Sequence, residues 1–227
     1  MQEDKIIMDL HEVVGYYLTQ PIATLLEQIE NAHPDIPHFH SVVYLESSFS
    51  AAVIPIVITY IESFVDWAGY LIKNEKPNRS TIDSIKYDYK NSELSEKLKE
   101  ILCVRDVITH AYIWKREVHH SNNFGNIDYS DFNLHEGYGI KGNKFKETVD
   151  INTAKTKLLG LSVIPTRVTK TEIQIVLKVL INVIEVLEER VIEHKQENSL
   201  NISGQYVVFQ GKVTLFTNLL REFVDDK

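Results

Sequence analysis

The stretch SVVYLESSFSAAVIPIVITYIESFVDWAGYLIK covers residues 41–73 and decides the fold class. It has the length of a helix and is apolar on most sides, so it is expected to run through the centre of a bundle. Its most apolar part, residues 51–61, contains Pro55 and Thr59 and is about half as long as a membrane span. A buried core helix, and no membrane segment, is the expectation. Lys76, Pro77 and Asn78 end it.

Upstream, Ile6, Leu10, Val13, Val14, Tyr17 and Leu18 recur at helical spacing and predict a helix over residues 5–31, kinked or divided at Pro21. Residues 32–40 carry Pro34 and Pro37, which forbid regular helix and predict a loop. Downstream, Ser92 and Glu93 open a third helix expected to reach residue 118. Residues 119–168 change character. Gly125, Gly137, Gly139 and Gly142 among many Asn and Asp mark loops, with short β-prone pieces at 145–151 and 158–164. A fourth helix over 170–195 shows an apolar stripe through Ile173, Val176, Leu177, Leu180, Ile184 and Leu187, with Thr169 or Thr171 as its cap. Tyr206–Phe209 reads as a short strand and 212–224 as a final amphipathic helix. The sum is an all-α bundle of four to five helices, with a Gly-rich loop and short β insertion before the last long helix. Residues 1–197 form the helical domain, 119–168 its insertion, and 198–227 a C-terminal appendage packing on the bundle.

At 227 residues, 44% hydrophobic and 25% charged, the chain has ordinary globular composition and enough apolar residues for a sizeable core. Its single cysteine, Cys103, excludes an intrachain disulfide and reads as buried filler among Ile101, Leu102 and Val104. The start carries Glu3, Asp4 and Lys5 rather than a basic region followed by an apolar block, so a cytoplasmic protein is expected. A net charge of −8 argues against a generic nucleic-acid binder. The charge is uneven, however. Residues 1–40 hold one Lys against seven acids, whereas 141–178 hold eight Lys or Arg against three acids. That second stretch, with Lys141, Lys144 and Lys146 at its head, is either a solvated surface or a local phosphate-facing patch.

The segment that carries chemistry is Arg105-Asp106-Val107-Ile108-Thr109-His110-Ala111-Tyr112, on the third helix. Arg105 is a permanent cation with a fork of donors suited to phosphate oxygens. His110 can move protons near neutral pH. Asp106 lies four residues before His110 and can orient its imidazole and hold its tautomer. Tyr112 shares the face of Arg105 and can contact phosphate or stack on a base. Lys115 and Arg116 follow on the same helix as further RNA-binding candidates. On an ideal helix Arg105 and His110 diverge by about 140°, so a second protomer or a helix distortion would help them converge. Glu62 and Asp66 are one turn apart on the apolar central helix and need a partner, for which Arg105 is the logical candidate. The plainer reading of these residues is that Arg105 pairs with Glu62 or Asp66 and that His110 is a satisfied buried histidine.

His33, Asp35, His38 and His40 show no established ligand spacing and read as a surface loop, so no metal is expected. His119 and His120 fall where the third helix frays and can add phosphate contacts. No Gly-rich phosphate loop, Gly-x-Ser-x-Gly or Cys pair is present, and no cofactor is expected.

The Arg–four residues–His–x–Tyr segment at Arg105, Asp106, His110 and Tyr112 resembles the signature of the HEPN superfamily, in the form that resembles HEPN toxins paired with minimal nucleotidyltransferase antitoxins. The bundle outline and the preceding helix with Glu62 are also similar. The chain is longer than those toxins, with extra segments at 119–168 and 198–227. What the resemblance implies is metal-independent endoribonuclease activity in a homodimer that brings two motifs together, with RNA as partner and an antitoxin or regulatory protein as another. The alternative is a non-catalytic module of the same shape that binds RNA, a nucleotide or a protein.

Overall fold

The computed structural model describes residues 13–32, 40–73, 78–109, 114–116, 119–120, 127–128, 132–134, 143–194 and 202–226. Five helices of ten residues or more stand among them: α1 (Val14–Asn31), α2 (His40–Lys73), α4 (Ser92–Thr109), α6 (Lys170–Glu193) and α7 (Phe216–Asp225). A single turn, α3 (Thr81–Asp83), runs into a π-helix at Ser84–Asp88. The molecule is thus mostly helical.

The apolar stretch does occupy the centre. α2 packs against α1, α4 and α6, and Val53, Ile54, Val57, Ile58, Ile61, Phe64 and Val65 are all buried. By length and composition Leu45–Lys73 could cross a membrane, yet 56% of its most apolar window is buried inside the protein. Packing against three neighbours accounts for its composition. Tyr60 and Phe64 form the aromatic heart, with ring centroids 4.7 Å apart. Phe216 lies 5.5 Å from Tyr60 and Tyr16 lies 4.9 Å from Phe64.

Gly15 sets how closely α1 approaches α2. Its N–H donates to Ser63 Oγ at 2.9 Å, and a Cβ placed there would lie 2.3 Å from Phe64 Cε2. Phe64 is itself locked in the core, so it cannot swing aside. Gly15→Ala is therefore expected to cost about 1–3 kcal/mol through overpacking, despite the better helix propensity of Ala. A urea melt matching that of the parent chain would show that the two helices can separate freely.

Several elements differ from the sequence expectation. Pro21 lies inside α1 without dividing it. Its missing N–H falls on the exposed face, where water can serve the unpaired carbonyl. α2 already includes His40, the last residue of the expected loop. α4, described through Thr109, does not reach residue 118, because Trp114–Arg116 is a strand, β1, paired antiparallel with β4 (Phe132–Leu134). β2 (His119–His120) pairs with β3 (Ile127–Asp128). Tryptophan and the β-branched residues that precede it suit a pleated surface better than a helix. Of the piece expected to be β-prone at 145–151, most is helix, α5 (Asn143–Thr148); only β5 (Val149–Asp150) is strand, paired with β6 (Lys155–Thr156). The piece at 158–164 makes one bridge, Ser162 to Lys155.

At the C-terminal end, β7 (Tyr206–Phe209) is as expected, but 212–224 is not one helix. β8 (Lys212–Leu215) pairs with β7, and α7 begins only at Phe216. Gln210 and Gly211 turn the hairpin with φ of 49° and 73°, the double positive φ that a tight type I′ turn requires. α7 then buries Phe216, Leu219, Leu220 and Phe223 in the same core as α1 and α6.

Candidate functional site

α4 is fixed at its start by Asn91, whose Oδ1 accepts the Leu94 N–H at 3.0 Å, a cap one residue before the expected one. Leu98, Ile101, Val104 and Val107 bury one face. That leaves Arg105 and Asp106 at the edge of the helix near its C-terminal end. Glu62 reaches Arg105 from α2, with Oε1 3.7 Å from Nη2. Asp106 Oδ1 lies 2.8 Å from Arg105 Nε. That approach misses hydrogen-bond direction, and buried Nε has no hydrogen-bond partner. We regard the contact as electrostatic only. The side chains of Arg105, Glu62 and Asp106 are 28%, 39% and 40% exposed, so the cluster is half-buried and open on one side.

The surroundings are acidic. Burial pushes the Glu62 carboxyl above its ordinary range; Arg105 pulls it down, and Asp66 and Asp106 push it up again. The sign of the pH effect follows. A raised folded-state pKa means that the folded chain holds the Glu62 proton more tightly, so charging Glu62 lowers stability. The loss begins as pH rises through the unfolded carboxylate range near about 4.3 and is complete above the folded value. Glu62→Gln should therefore gain stability relative to the parent chain as pH rises from about 4 to 7. A parent chain whose advantage grows over that range would mean that the Arg105 pair outweighs burial.

The other expected site residues are distributed as follows. His110 and Tyr112 lie outside the described residues, as do Lys141, His33, Asp35 and His38. Lys115 and Arg116 sit in β1, in register with Asn133 and Phe132, instead of on a helix. His119 and His120 stand in β2 opposite Asp128 and Ile127. Lys144 and Lys146 are on α5, and Lys146 is exposed. The basic stretch is spread over α5, β6 and α6. Within it the Lys170 ammonium is already held by Asp226 at 2.6 Å, and Lys157 Nζ donates to the Lys146 carbonyl at 2.8 Å. Among the described residues no three His, Cys, Asp or Glu are grouped to hold a metal ion.

Four glutamates missed in the sequence reading organise the segments around the bundle. Glu100 accepts the N–H groups of Leu158 and Leu159, and Glu172 those of Ser162 and Thr169. Glu46 accepts the Lys170 N–H and Glu188 the Ser203 N–H. The only local signal was Thr169 followed three residues later by Glu172, a capping-box spacing.

Chemically, the Arg105 cluster offers one guanidinium with a partly open edge, steadied by carboxylates on two helices. Such a group can meet a phosphate oxygen. No family model, curated protein or solved structure matches this chain.

Proposed function

We propose that the chain is a HEPN-type endoribonuclease that cleaves RNA without a metal ion. The 2′-hydroxyl attacks the adjacent phosphorus, the bond to the 5′-oxygen breaks, and a 2′,3′-cyclic phosphate and a free 5′-hydroxyl result. His110 takes up or delivers the proton, Arg105 neutralises charge on the phosphorane oxygens, and Asp106 orients the pair. Tyr112, Lys115, Arg116, Lys141, Lys144 and Lys146 contact RNA. Glu62, with Asp66 behind it, holds the arginine. The working unit is a cytoplasmic homodimer, with an antitoxin or regulatory protein as its control.

The observation that supports this most is the position of Arg105: near the end of α4, gripped from α2 by Glu62, with part of its side chain open. The dimer rests on the resemblance, on the apolar bundle and on the divergence of about 140° between Arg105 and His110 on an ideal helix. Light scattering at micromolar concentration decides it.

The test is direct. The purified chain is expected to cut single-stranded RNA in excess EDTA and to leave cyclic phosphate ends. Cleavage that needs a divalent ion, or none at all, overturns the reading.

The acidic surroundings favour a second reading. Two carboxylates against one guanidinium, with Asp66 acting on one of them, in a chain of net charge −8, suit a non-catalytic module that binds RNA, a nucleotide or a protein, with Arg105 tying α4 to α2. Growth arrest by the parent chain but not by His110→Ala separates the two.

A further inference from the structure

A pocket of about 310 Å³ opens where the C-terminal half of α2, the π-helix and the end of α6 meet. It starts at Val65, within one turn of Glu62 along α2, and shares no residue with the Arg105 cluster. Its volume is at the low end of small-molecule sites. One wall is cationic, with Lys73, Lys90 and Arg190, and His194 beside them; Asp88 is the one carboxylate in the lining, and Arg190 also pairs with Glu193 beside the pocket. The other wall is apolar, with Val65, Ile72 and the rings of Tyr87 and Tyr89. In a chain of net charge −8 this is a local reversal of sign.

Helix-end electrostatics explain part of it. Lys73 and Arg190 sit in the last turns of α2 and α6, where cations complement the helix dipole. Three features remain. Asp88 is already met twice, by Lys73 at 2.7 Å and by Arg79 at 3.0 Å, so the pocket's only acid is saturated. Lys90 makes no ion pair among the described residues, and its backbone is held at φ 54°, a costly conformation for lysine. Ser84 is 2% exposed and lines the pocket, yet its Oγ has no hydrogen-bond partner. An orphaned buried hydroxyl costs stability and calls for an explanation. It stands at the start of a π-helix, a distortion often found at functional sites.

We propose that this pocket binds a small organic phosphate monoester. The phosphate lies between Lys90 and Arg190, and the organic body lies along Val65, Ile72 and Tyr87. A rotation of the Ser84 side chain gives its hydroxyl a phosphate oxygen as the partner it lacks. The inference does not rest on the ribonuclease reading, because the two sites are separate.

Phenyl phosphate is the probe, titrated into the full chain by calorimetry, with inorganic phosphate and phenol as separate arms. Saturable binding of phenyl phosphate at millimolar concentration or below is expected, with phenol much weaker. Lys90→Glu combined with Arg190→Gln should weaken binding at least about tenfold. Ser84→Ala should also weaken it severalfold while leaving the melting temperature unchanged or raised, since no hydrogen bond is lost. A structural serine would show the reverse. Arg105→Ala should bind as the parent chain does. Absence of saturable binding, phenol binding as tightly as phenyl phosphate, or unchanged affinity in the double variant would each overturn the proposal.

Discussion

His110→Ala is expected to lower RNA cleavage by about 10²- to 10⁴-fold, the usual contribution of a positioned proton carrier. Folding should be almost unaffected. The buried face of α4, from Leu98 through Val107, is formed without His110. The hydrogen bonds of its last turn are also made upstream: Thr109 Oγ1 donates to the Arg105 carbonyl at 2.9 Å. The informative comparison is with Arg105→Lys, which keeps a charge but loses the bidentate fork and should also cut more slowly. Equal cleavage by purified His110→Ala, with the melting temperature matched, would remove this residue from the chemistry. Equal losses in cleavage and melting temperature would assign it a structural role instead.

The largest effect on stability should come from Glu100→Ala. Glu100 lies on α4, is only 6% exposed, and receives two backbone N–H groups of the 143–168 segment. Both donors, Leu158 and Leu159, lie 2.7 Å from its oxygens. Bonds to a charged acceptor contribute about 1.5–3 kcal/mol each, and losing the acceptor strands the donors as well. Leu158 is exposed, so water recovers part of that loss. A net cost of about 3 kcal/mol is expected. Glu100→Gln, which keeps one acceptor oxygen but turns an amide N–H toward the other donor, should cost about half as much. Urea melts measure both. Amide exchange at Leu158 and Leu159 should accelerate ahead of global unfolding. Retained protection there in Glu100→Ala would show that the segment is held by its apolar contacts, Leu161, Val163 and Ile164, alone.

These expectations divide along a line visible in the residues themselves. The helices α2, α6 and most of α1 were legible because their apolar periodicity is local and repeats over many turns. The pairing of Arg105 with Glu62 was legible for a related reason. Two carboxylates on an apolar helix require a cation, and few are available. The strand at Trp114–Arg116, where the third helix was expected to continue, was not legible. Val107, Ile108, Trp114 and Val118 continue an apolar pattern that serves helix or strand equally, and the pairing of β1 with β4 decides between them. The β7–β8 hairpin escaped for a similar reason. Val213, Leu215, Phe216, Leu219 and Leu220 look like one helical stripe until Gln210 and Gly211 adopt positive φ.

The sequence alone determined that this protein is a mostly helical bundle around residues 41–73, and it singled out Arg105 as the cation facing Glu62. Tertiary structure decided that the third helix gives way to strand by Trp114 and how the 143–168 segment is fastened. It also decided which charges gather around the π-helix. The physical reason is range. Periodicity and capping act within a few residues, whereas Glu100 meets its two donors 58 and 59 residues away. Lys73 on α2 and Arg190 on α6, more than a hundred positions apart in the chain, line one pocket only because those two helices pack side by side.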